Sequence, residues 1–196
     1  MIKVSEMTVG VLAIQGDFER HGYQLGLLGV EPTEIRLPGQ LRQVDRLIIP
    51  GGESTTINIM IDRFGLRGAL LEFGRQKPIF GTCAGMIMLS NQIDNNISGV
   101  RPLALLDITV DRNGYGRQVH SVDDKVVADL GHGPTELTAT FIRAPRVTRV
   151  GAEVTVLATW RGDPVLVRQG LILAAAFHTE LDDDTRLLEY FLSLAP

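Results

Sequence analysis

Short apolar runs alternate along this chain with stretches of helical spacing. Val9 to Ile14 is apolar, contains β-branched residues and closes on Gln15-Gly16, which predicts a buried strand. Asp17 is an N-cap candidate for a helix over 18–28 that stops at Gly29. Thr33 to Leu37 predicts a second strand, halted by Pro38-Gly39, and Arg46 to Ile49 a third, halted by Pro50-Gly51-Gly52. Ser54 or Thr55 can cap a helix running to about Arg63, and Leu66 to Phe73 continues the helical character. Pro78 to Phe80 predicts a fourth strand, followed by a small-residue turn and the helix-compatible Met86 to Leu89. Such alternation predicts an α/β fold with a mostly parallel sheet and helices on both faces.

The second half reads differently. Leu103 to Val110, Glu136 to Ile142, Glu153 to Trp160 and Pro164 to Arg168 have strand character with little helix between them. They predict antiparallel strands at one edge of the sheet. Leu171 to Phe177 predicts one more fully apolar strand, and Thr185 to Leu194 a terminal amphipathic helix behind Asp182-Asp183-Asp184. No internal repeat or low-complexity linker interrupts the chain, so a single domain over 1–196 is expected, with residues 1–6 a short extension if Met7 is the start.

At 196 residues the chain can bury roughly 70% of its unfolded surface and needs no disulfide staple. Its single cysteine excludes an intrachain disulfide and suits a reducing, cytoplasmic setting. A formal net charge of -4 with scattered cations gives no footprint for nucleic acid. No apolar run approaches the ~20 residues of a membrane span, and the N-terminus has no signal-peptide pattern.

Cys83 changes the picture most. It sits in Gly81-Thr82-Cys83-Ala84-Gly85, at a bend between a strand and a helix. A lone cysteine is often just a small buried hydrophobe. At a helix N-terminus, however, a thiolate is stabilised, and small neighbours let a carbonyl approach backbone N–H groups. A partner base is then required. His178 follows the last apolar strand and Glu180 lies two residues on, the spacing at which extended backbone points side chains to one side. Nucleophile, base and orienting acid is triad logic, although a surface turn after a strand has the same composition. His21 reads as a solvated helix face beside Glu19 and Arg20, and His120 and His132 as loop residues. No Cys/His cluster has metal-ligand spacing, so no metal site is expected.

Pro50-Gly51-Gly52-Glu53-Ser54-Thr55 lacks the GxxxxGK[ST] spacing of a phosphate loop. Two glycines after a strand can instead turn N–H groups toward an oxyanion, or simply make a tight turn. Arg112, in Arg112-Asn113-Gly114-Tyr115-Gly116-Arg117-Gln118, and Arg143, in Phe141-Ile142-Arg143-Ala144-Pro145, are of the type that grips a carboxylate bidentately, or are solvated charges.

Taken in order, these pieces resemble the class I (triad) glutamine amidotransferases. Within them they are most similar to the glutaminase subunits of pyridoxal 5'-phosphate synthases. The match runs from Gly10–Gly16 (GVLAIQG) through PGGEST, GTCAG, RNGYGRQ and FIRAP to Phe177–Leu181 (FHTEL) and spans nearly the whole chain. Thr179 stands where the family often has proline, and His120 where an acidic residue is common.

The resemblance implies a three-layer, flavodoxin-like fold. It makes Cys83 the nucleophile, His178 the base and Glu180 its partner. It places Gly52, Glu53, Ser54, Arg112, Ile142 and Arg143 at the glutamine site, with Gly52 and Ala84 as oxyanion donors. The implied reaction turns L-glutamine and water into L-glutamate and ammonia, passed to a synthase subunit in a large hetero-oligomer, with no cofactor on this chain. The Gln15-Gly16 strand end and the helix after it are the expected docking face. Rival readings are a cysteine hydrolase or chaperone-like protein of the same fold, a non-catalytic binding subunit, and an amidotransferase for another acceptor. A histidine directly after the cysteine would favour the first; here Ala84 stands there.

Overall fold

The computed structural model describes residues 7–115 and 121–195. A seven-stranded sheet runs in the order β10-β11-β12-β4-β3-β1-β2. Its parallel part comprises β1 (Val9–Leu12), β2 (Pro32–Ile35), β3 (Arg46–Ile49), β4 (Ile79–Thr82) and β12 (Ile172–Ala175). Every residue of β1, β3, β4 and β12 is buried, so both faces of the sheet are covered there. This is why those segments are continuously apolar rather than alternating. The antiparallel β11 (Asp163–Gln169) and β10 (Thr155–Trp160) extend one edge.

The helices are α1 (Phe18–Leu27), α2 (Ser54–Arg63), α3 (Leu66–Gly74), α4 (Ala84–Leu89) and α5 (Arg186–Ser193), with a 3-10 turn over Pro38–Gln43. Helix α5 buries Leu187, Leu188, Phe191 and Leu192, and the Phe191 ring lies 5.5 Å from that of Phe80 on β4. Burying one such phenylalanine contributes about 1.5–3 kcal/mol. Arg46, itself buried, donates from Nη2 to the Leu194 carbonyl at 2.6 Å and ties down the end of that helix.

Two sequence expectations are corrected. The second-half strands do not all join the main sheet. β5 (Ser90–Ile93), β6 (Leu106–Asp111) and β9 (Arg146–Val150) form a separate three-stranded sheet, and β7 (Val122–Asp129) pairs with β8 (Pro134–Phe141) as a hairpin. Helix α4 ends at Leu89, where the helix-compatible run ends, and Ser90 opens β5 directly. The caps differ too: Asp17 makes no capping hydrogen bond, whereas Glu53, not Ser54 or Thr55, caps α2 by accepting from the Thr55 and Thr56 N–H groups. The proposed extension, residues 1–6, lies outside the described residues.

Candidate active site

The carboxyl ends of β1, β3, β4 and β12 meet at one edge, where open parallel sheets place their ligands. Cys83 follows β4 directly with φ 47° and ψ −103°, a sharp elbow outside the usual regions for a non-glycine residue. Its N–H donates to the Ala175 carbonyl of β12 at 2.8 Å, so the neighbouring strand fixes the bend. Gly85 is needed one turn on. A Cβ there would stand 2.2 Å from the Ile49 carbonyl oxygen, so only glycine lets α4 start this close to β3.

His178 leaves the end of β12 through an isolated bridge to Thr140 of β8, its N–H donating to the Thr140 carbonyl at 2.9 Å. Its Nδ1–H donates to Glu180 Oε1 at 2.6 Å. Nε2 is the ring nitrogen left over to serve Cys83, which lines the same cavity wall. Burial works against a charged imidazole here. The hydrogen bonds and negative charge of Cys83 and Glu180 outweigh it, and the pKa is pushed up from 6.5 to about 10. Glu180 is fully buried; despite that desolvation, the His178 hydrogen bond and the neighbouring imidazoles hold its carboxyl below the usual range. The three residues thus lie side by side, and Gly51 closes against them. A Cβ on Gly51 would meet His178 Cε1 at 2.5 Å and Cys83 Cβ at 3.4 Å.

Cys83 and His178 face a cavity of about 200 Å³, small enough to suit an amino acid rather than a larger ligand. Gly52, Glu53, Ser54, Arg112, Ile142 and Arg143 all line it. Arg112 Nη2 donates to Glu53 Oε1 at 3.1 Å and to Thr55 Oγ1 at 3.2 Å, and its Nη1 donates to Ser98 Oγ. Burial raises the Glu53 pKa, but the N–H groups of α2 and the threonine hydroxyls win, so the carboxyl stays ionised. The Ile142 carbonyl lies 3.8 Å from Cys83 Sγ. Arg143 has φ 46°, a second non-glycine residue bent at the cavity wall. Ala84 does not line the cavity; what it can offer is the backbone N–H at the start of α4. Among the described residues no group of three or more His, Cys, Asp or Glu could hold a metal. His120 and the Gly116–Gln118 part of the RNGYGRQ motif lie outside the described residues.

Sequence reasoning missed four contributors. Ile87 and Asn113 complete the lining. Gln15 Oε1 accepts the Glu53 N–H at 2.9 Å, so the end of β1 braces the turn after β3. His21, read as solvated, is 1% exposed and faces Glu180 and Thr82. Its signal was in the chain: it lies three residues after Phe18 and four before Leu25, on the buried stripe of α1.

Residues 11–195 match the model of the SNO glutamine amidotransferase family. The chain belongs to this family. Among curated SNO-type relatives, it is 46% identical over 188 residues to the "Pyridoxal 5'-phosphate synthase subunit PdxT" of Francisella philomiragia, covering 96% of this chain and 99% of that one. It is 47% identical over 190 residues to the protein of the same name from Thermotoga maritima, with the same coverage. A solved structure described as a glutamine amidotransferase superposes with a TM-score of 0.88 at 42% identity, covering 95% of this chain and 98% of that one. The mostly parallel α/β sheet expected from the strand pattern, and the amidotransferase fold that the resemblance implied, are therefore the ones present.

Proposed function

We propose that the chain is the glutaminase subunit of a pyridoxal 5'-phosphate synthase. It hydrolyses L-glutamine to L-glutamate and ammonia, and it supplies that ammonia to a synthase subunit. The observation that carries the chemistry is the buried line Cys83–His178–Glu180 at the mouth of an amino-acid-sized cavity. Family membership and the full-length PdxT relatives support the assignment to this pathway rather than to another acceptor. They speak equally against a chaperone-like protein.

With His178 an imidazolium up to about pH 10, the Cys83 sulfur meets the substrate beside a positive charge, and the thiolate is the nucleophilic form of a cysteine. Sulfur bonds to the side-chain amide carbon and the carbonyl electrons move to oxygen. The Gly52 and Ala84 N–H groups serve as the donors to that oxyanion in this scheme. His178 gives its proton to the amide nitrogen, the C–N bond breaks and ammonia leaves a thioester. The now neutral imidazole takes a proton from water, the hydroxide adds to the thioester carbon, and collapse releases glutamate and the thiolate. Glu53 supplies negative charge for the substrate's α-ammonium, while Arg112 and Arg143 offer guanidinium groups to its carboxylate. Gly52, Ser54 and Ile142 shape the wall.

Cys83→Ala is expected to abolish glutamate and ammonia release with the synthase present; full activity in that variant would refute the scheme. The chain works as one domain inside a large hetero-oligomer; a cytoplasmic setting is supported by its lone unpaired cysteine. No helix among the described residues is long and apolar enough to cross a membrane.

A further inference from the structure

His21 has no role in the scheme above, yet it is buried against it. Its Nε2 lies 3.2 Å from Thr82 Oγ1 and 3.6 Å from Glu180 Oε2. That carboxylate oxygen is buried and makes no hydrogen bond among the described residues, while its twin binds His178. Thr82 Oγ1 in turn accepts the Gly51 N–H at 3.0 Å. One imidazole therefore adjoins both the acid behind the base and the threonine that anchors the glycine turn.

We propose that His21 is a positioning residue whose Nε2–H orients Glu180 and, through Thr82, the Gly51-Gly52 turn, so that helix α1 sets the catalytic geometry without touching substrate. The inference rests on the Cys83–His178–Glu180 assignment.

The chemistry favours this tautomer. A buried carboxylate oxygen is costly without a donor, and His21 Nε2 is the nitrogen beside it. The titratable groups facing His21 are Glu180 and His178 from the segment after β12 and Asp17 from the loop before α1. Burial lowers the His21 pKa, outweighing the pull of Glu180 and Asp17. His21 is thus a neutral donor, which steadies the carboxylate without displacing the His178 proton. The rest of the α1 face grips the same segment by its backbone. Arg20 Nε donates to the Glu180 carbonyl at 3.2 Å, and Gln24 Nε2 donates to the carbonyls of Thr179 at 2.7 Å and Asp182 at 3.0 Å.

The test compares His21→Ala, His21→Gln and Thr82→Val in the full complex with synthase, alongside a Cys83→Ala control. For His21→Ala, kcat should fall roughly ten- to hundredfold with KM within about twofold. Glu180 would then take up a proton more readily, so the acidic limb of Cys83 alkylation by iodoacetamide should move to higher pH. His21→Gln, which keeps an N–H near the same place, should restore most of both. A folded His21→Ala protein with wild-type kcat and alkylation profile overturns the proposal. So does a loss confined to thermal stability that glutamine does not rescue. If His21→Ala does not fold, Thr82→Val decides: a lowered kcat supports the proposal, and unchanged kcat and profile overturn it. Activity in the Cys83→Ala control would instead sink the triad itself.

Discussion

Cys83 holds its elbow at a cost of about 1–3 kcal/mol, and the strain persists because β3 and β12 leave the backbone no other course. Gly51 is just as constrained. Gly51→Ala should push the His178 ring away from the sulfur and lower kcat by about 10² or more, since a displacement of about 1 Å suffices for that; steady-state kinetics and circular dichroism would separate this from unfolding. The pH behaviour follows from His178. Its folded pKa is raised from 6.5 to about 10, so its contribution to stability is fully present below pH 6.5 and is lost as the pH rises toward 10. The melting-temperature gap between wild type and His178→Asn should therefore shrink across that window. Activity should keep its alkaline limb near pH 10, where the imidazolium that protonates departing ammonia disappears. These residues were legible because each follows an apolar strand in a distinctive turn. His21 was not, because polar neighbours at 19 and 20 masked its place on the buried stripe, and periodicity outranks neighbours in such a case.

At the level of elements, α2 shows how one side chain serves both structure and site. Glu53 accepts two N–H bonds at the helix start, at 3.1 and 2.7 Å, and also pairs with Arg112 across the cavity. Glu53→Ala should cost about 1 kcal/mol through the lost cap and raise KM for glutamine. Calorimetry and kinetics should move together; an unchanged KM would remove Glu53 from the substrate site. Strand–helix alternation in the first half was plain in sequence because buried parallel strands are continuously apolar. Strands β5, β7 and β9 were not legible. Ser90–Ile93, for example, has two exposed polar residues at its centre and is held by pairing with β6 rather than by its own pattern.

At the scale of the whole molecule, the outer face of α1 is the surface offered to a synthase subunit. Helix α1 turns Tyr23 and Leu27 outward, 48% and 47% exposed and one turn apart, while its opposite face grips the triad segment. A partner seated there would press on the helix that carries His21. Tyr23→Ala combined with Leu27→Ala should raise the synthase concentration for half-maximal activation by about tenfold and leave the uncoupled rate alone. Reversing charge at Arg20 is the weaker experiment, since that guanidinium also binds the Glu180 carbonyl.

Among the described residues, the β7–β8 hairpin is tied to the site by the backbone bond from the His178 amide to the Thr140 carbonyl, and β8 runs straight on into Ile142 and Arg143. That amide is therefore a built-in clock. Its deuterium uptake would time how often the hairpin lifts off His178, and bound glutamine should slow it.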